Sequence, residues 1–125
     1  MKKICTSIEQ SQRLIELGID VNTADMYWWA TSIRYYIEAM DDGDFNEEEG
    51  HIRAWSLAAL SEFMLPYIAD DDGNNYKFYL SKDSLDRWIA YYKSGDVSIH
   101  ICEESDNMID VIFEMVCWLK KEEYI

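Results

Sequence analysis

Two short acidic runs carry the residue types of a cation site. Asp42-Gly43-Asp44-Phe45-Asn46 and Asp70-Asp71-Asp72-Gly73-Asn74 both read D-x-D-x-N, the opening of a calcium loop. An EF-hand loop adds a glycine at position 6 and a bidentate glutamate at position 12. Counted from Asp42, those positions hold Glu47 and Arg53; counted from Asp70, they hold Asn75 and Ser81. Both runs fail where the motif is diagnostic. The expectation is hydrated turns in which Asp, Asn and Gly satisfy the local backbone. A calcium site of another kind, recruiting Glu47, Glu48 and Glu49, is the competing reading.

Two histidines are the other reactive groups. His100 and Cys102 stand two apart on an expected strand, so their side chains are neighbours, and a Cys–His pair can make a thiolate nucleophile. No third group is placed by the sequence to orient the imidazole, so an outward-facing histidine and an ordinary thiol are expected. His51 follows the acidic run and can sit beside Glu47 or Glu48, as a base, a metal ligand or simply a surface histidine. There is no nucleophile elbow, Walker A loop, zinc-ligand spacing or dinucleotide fingerprint. No catalytic residue, metal ligand or cofactor is assigned, and an enzyme is not expected.

The elements that would position these groups form a coarse α+β pattern. A helix begins near Thr6, with Glu9 completing a capping box, and stops at Gly18 with Ile19 folding back. The aromatic, β-branched stretch 26–39 reads as strands over 26–30 and 33–39, with a helix over 30–40 as the rival. Seven acids and no base lie between Glu38 and Glu49, which implies an extended, solvated loop. A second helix starts at Ser56, stapled by Trp55 and Leu60, and ends near Pro66. Strands are expected over 76–80, 87–93 and 97–102, with a hairpin at Gly95. In the last strand Val97, Ile99 and Ile101 share one face, which should meet the core. The apolar segment 108–119, capped by Ser105 or Asp106 and closed by Lys120 and Lys121, reads as a helix buried against the sheet. Adjacent rings at Trp28-Trp29, Tyr35-Tyr36 and Tyr91-Tyr92 must point to opposite strand faces. One ring of each pair is then shielded by a loop or left as a partner-binding patch.

The chain has 125 residues, 49% of them apolar, with five Trp, nine Tyr and four Phe. That suits one domain with a substantial core, spanning residues 1–125. The net charge is −14, from 25 acids against 11 bases, which disfavours nucleic acid and anionic membrane and favours a basic partner. Cys5, Cys102 and Cys117 make an odd set without a C-x-x-C pair, which suits a reducing cytoplasm. The opening MKKICTSIEQ lacks the apolar stretch of a signal peptide, and no run approaches the roughly 18 residues of a membrane span.

The segments CTSIEQSQRLIELGIDVNTADMYW, AWSLAALSEFML and DNMIDVIFEMVCWLKKE are together similar to a family of small proteins without an assigned activity. That family is common in Bacteroides-type gut bacteria, their prophages and mobile elements. The resemblance implies a cytosolic bacterial or phage-borne protein and carries over no functional residue. The resulting expectation is a single α+β domain, an antiparallel sheet of about four or five strands packed against three helices. Its expected role is a non-enzymatic acidic interaction module, of the inhibitor, immunity or nucleic-acid-mimic kind, that binds a basic protein. Asp42, Asp44, Glu47, Glu48, Glu49, Trp28 and Tyr91 are the candidate contact residues. The alternative is a small ligand-binding domain or enzyme with an aromatic-lined pocket.

Overall fold

A computed structural model describes residues 3–40 and 43–125. The chain is α+β, and its described residues form three α-helices and two antiparallel sheets of three and four strands. It divides into two compact units, Met1–Glu62 and Phe63–Ile125. The seven strands are thus shared between two sheets, where the sequence suggested one of four or five.

The first unit opens with α1 (Ile8–Glu16). Its N-cap is Ser7, one residue later than expected, and Gln10 closes the capping box. Gly18 takes φ 87, and the amides of Gly18 and Ile19 turn back onto the carbonyls of Ile15 and Leu14. This Schellman stop buries Ile19 beside Leu14. Strands β1 (Met26–Ala30), β2 (Tyr35–Ala39) and β3 (Ile52–Ala54) pair in the order β2-β1-β3. Ser56 then caps α2 (Leu57–Ser61) as expected. The unit is joined through Thr6 and Trp55, both fully buried. The Trp55 amide donates to Thr6 Oγ1 at 3.0 Å, and its indole N–H donates to Thr23 Oγ1 at 2.9 Å. Ser11 Oγ donates to the Ser7 carbonyl, so the Thr6 hydroxyl donates to Ser11 Oγ at 2.8 Å. Every polar atom of that buried chain is therefore paired.

The second unit holds β4 (Tyr67–Ala69), β5 (Asn75–Lys82), β6 (Trp88–Ser94), β7 (Val97–Ile101) and α3 (Met108–Lys121), with the sheet in sequence order. Asn107 caps α3, in place of Ser105 or Asp106. Ile68, Tyr76, Ala90 and Tyr92 from the sheet pack on Val111, Met115 and Leu119 from the helix. The Tyr92 hydroxyl donates to the Leu65 carbonyl at 2.7 Å.

The edge strand β7 corrects one expectation. Val97, Ile99 and Ile101 are 56, 37 and 57% exposed, whereas Cys102 is 1% exposed and His100 half-buried. Register explains the reversal. Tyr92, on the helix-covered face, pairs with His100, and Tyr91, on the open face, pairs with Ile101. A bulge between Tyr92 and Lys93 then leaves Ile99 without a partner in the register.

The turns of this sheet use carboxylates as local staples. Asp70 accepts from the amides of Asp72 and Asn74, from the Asn74 side chain and from the Tyr76 hydroxyl. Both of its oxygens are engaged as a turn acceptor. Asp83 accepts from the amides of Leu85 and Arg87 and from the Arg87 guanidinium. The Arg87 amide bond is the largest cause holding the Asp83 carboxyl below its ordinary value. A carboxylate whose folded pKa is depressed stabilises the fold above its unfolded value, about 3.9, and loses that contribution as pH falls through the lower folded value. The expected result is that the 83–87 turn loosens first in that acid window. Amide exchange at Leu85 and Arg87, followed from pH 5 downward, checks this, and in Asp83→Asn the acid-dependent increase should vanish.

Candidate functional site

Alternation along β1 sends Tyr27 and Trp29 to one face and Trp28 to the other. Trp28 is half-buried, its indole N–H donating to the Thr6 carbonyl at 2.9 Å. Tyr27 pairs across the strands with Glu38 and with Arg53, and Trp29 pairs with Tyr36. Residues 43–51 fold back over the face that carries Tyr27 and Trp29. Phe45 meets Tyr27 edge-on at 5.5 Å, and His51 stacks on Tyr27 at 5.1 Å. Asn46 caps a single 3-10 turn at Glu47–Glu49, and Gly50 ends it at φ 82, a left-handed conformation that a side chain would strain.

Sheet and loop enclose a cleft of about 620 Å³ lined by Tyr27, Trp29, Glu38, Asp44, Phe45 and His51, together with Gly43, Asn46 and Glu49. Three aromatic rings, three carboxylates and an imidazole contribute to its lining, and the surface it exposes is mostly polar. Trp29 stacks on Tyr36 at 4.6 Å, and its indole N–H is buried with no hydrogen-bond partner among the described residues. His51 Nδ1 accepts from the Asn46 amide at 3.0 Å, so in the neutral ring the proton sits on Nε2, 3.6 Å from Glu49. An imidazole held this way presents a donor and has no free lone pair to act as a base.

The sequence-derived contact residues fall in several places. Asp44 and Glu49 line the cleft. Glu47 pairs with Arg53, whose guanidinium lies 4.5 Å over the Phe45 ring. Glu48 is exposed beside it. Trp28 lies on the opposite face of β1. Tyr91 belongs to the second unit, stacked on Tyr79 at 5.4 Å on the open face of that sheet. Asp42 lies outside the described residues. Sequence reasoning missed Tyr27, Trp29, Glu38 and Phe45, although the i, i+2 spacing of Tyr27 and Trp29 on a strand already implied a shared face.

The second unit gathers a different set. His100, Cys102 and Glu114 bring one donor atom each to within 4.8 Å of one another. Glu114, from the middle of α3, supplies the third group that the sequence did not reveal. Burial lowers the His100 pKa, with Glu122 opposing, and raises that of Glu114 against a hydrogen bond from the Glu103 amide. Burial also pushes the Cys102 thiol up to about 12. A reactive cysteine has a lowered pKa and solvent access. Cys102 has neither, so this trio is not arranged as a nucleophile with its base.

These features define an α+β protein with a cleft lined by carboxylates and aromatic rings, in which no described helix is long and apolar enough to cross a membrane. Comparison with protein-family models, curated proteins and solved structures found no match to the chain.

Proposed function

We propose that the protein is a non-enzymatic interaction module that binds a basic protein partner and takes one of its Lys or Arg side chains into the cleft of the first unit. One observation carries the reading: Glu38, Asp44 and Glu49 line one cavity together with Tyr27, Trp29 and Phe45. The three carboxylates attract such a cation, and each ring face it reaches beyond those covered by Arg53, His51 and Tyr36 adds about 0.5–2 kcal/mol. The surplus of acids over the rest of the chain steers such a partner inward. An inhibitor, an immunity protein or a mimic of nucleic acid acting in a bacterial or phage-infected cytoplasm is the biological form this reading takes.

A second reading has its own support. The cleft places His51 beside Glu49, which suits a small organic cation able to accept from the imidazole N–H. The test uses a fluorescently labelled oligolysine peptide and a choline salt, an ammonium ion whose hydroxyl can accept from an N–H, as probes. Saturable peptide binding that weakens with salt and with charge reversal of Glu47–Glu49 supports the interaction module. Binding of the ammonium salt alone would transfer the site to the small-ligand reading. Absence of peptide binding at low ionic strength, or indifference to the reversal, would sink the proposal.

A further inference from the structure

The trio in the second unit has a use that the cleft does not touch. We propose that His100, Cys102 and Glu114 form a mononuclear site for a divalent metal ion of borderline softness, zinc foremost, with the imidazole Nε2, the thiolate and one carboxylate oxygen as its three protein ligands.

The donor set is the first support. Imidazole, thiolate and carboxylate are the three side-chain ligands that zinc takes, at bond lengths of about 2.0–2.3 Å. Tetrahedral ligands at those lengths stand roughly 3.3–3.8 Å apart, so donors already within 4.8 Å of one another close on an ion with small side-chain shifts. Three ligands leave one tetrahedral position open. The second support is an unsatisfied atom. His100 Nε2 is buried and has no hydrogen-bond partner among the described residues. A buried polar atom left unpaired calls for an explanation, and a bound ion supplies one.

The surroundings are organised as a metal shell requires. His100 and Cys102 leave the same side of β7 and its continuation, which is pinned by the Cys102 amide donating to the Ala90 carbonyl at 2.9 Å. The imidazole lies flat on Trp118, with ring centroids 4.5 Å apart and planes within 6°, so its orientation is fixed. Trp118 is four residues after Glu114, on the same face of α3. On binding, the Cys102 thiol releases its proton to solvent and the sulfur lone pair enters the metal bond; no electron is transferred.

The experiment loads the full chain, first stripped with a chelator, with Zn²⁺ or Co²⁺ alone. One equivalent of metal per chain is expected, with a thiolate-to-cobalt charge-transfer band and the intense visible bands of a tetrahedral ion. Cys102→Ser should remove the charge-transfer band, and His100→Asn and Glu114→Gln should each weaken zinc binding by about a hundredfold or more. Because Cys102 is a core residue, the wild-type chain supplies a second readout: zinc should raise its Tm, and chelation should reverse the rise. Sub-stoichiometric metal, an octahedral cobalt spectrum without a thiolate band, or a Tm indifferent to zinc overturns the proposal, and so does full affinity in folded Glu114→Gln.

Discussion

Trp55→Ala is expected to destabilise the first unit by about 3–5 kcal/mol, the range for deleting a fully buried large aromatic side chain. Trp55 is 0% exposed, so truncation opens a cavity where the unit is joined. The loss extends beyond apolar area. The Thr23 hydroxyl loses the indole donor, although the backbone bonds with Thr6 in both directions remain. Small domains are held by about 5–15 kcal/mol in all, so this single change brings the unit close to unfolding. Urea titration followed by circular dichroism should show the midpoint falling sharply. Trp55→Phe should fall between wild type and Trp55→Ala, since it keeps one six-membered ring and loses the fused pyrrole with its N–H. A loss below about 1 kcal/mol in Trp55→Ala would contradict the packing described for this unit.

The second large effect concerns the cleft. Replacing Glu38, Asp44 and Glu49 together by lysine should slow association with a basic peptide by roughly 10- to 1,000-fold, the span that local steering confers. The slope of rate against salt should flatten or change sign. A matched control reverses Asp71, Asp72 and Glu123, three exposed acids of the second unit, and changes the net charge equally. If steering depends on the cleft, the control retains most of the wild-type rate. Equal losses in both variants would mean that the chain attracts cations only through its total charge.

Local signals in the sequence were reliable where one residue carries the physics. Ser56 caps α2, Gly18 ends α1 with Ile19 turned back, and Gly95 makes the tight turn between β6 and β7 at φ 58. Where two polar residues competed for one cap, the spacing was ambiguous. Ser7 with Gln10 prevailed over Thr6 with Glu9 because Thr6 is committed to the buried bonds with Trp55 and Ser11. Strands β3 and β4 have three residues each, too few for a period of two to register. The reversal of β7 has another origin. The alternation expected over 97–102 holds only past the bulge, from Ile99 to Cys102, and there the pairing with Tyr92 and the stack of His100 on Trp118, not hydrophobicity, set the face. Both candidate sites depend on such long-range partners. The return of Phe45 and His51 onto Tyr27, and the arrival of Glu114 opposite Cys102, lie outside any local window of sequence.

The bare flank of β7 has a practical consequence. It is the last strand of its sheet and carries three outward aliphatic side chains, an arrangement that invites a neighbouring molecule to extend the ladder. The excess of carboxylates keeps molecules apart while they are ionised. Acidification toward the isoelectric range removes that guard, so turbidity there, relieved by Ile101→Lys, is the behaviour this surface implies for concentrated solutions.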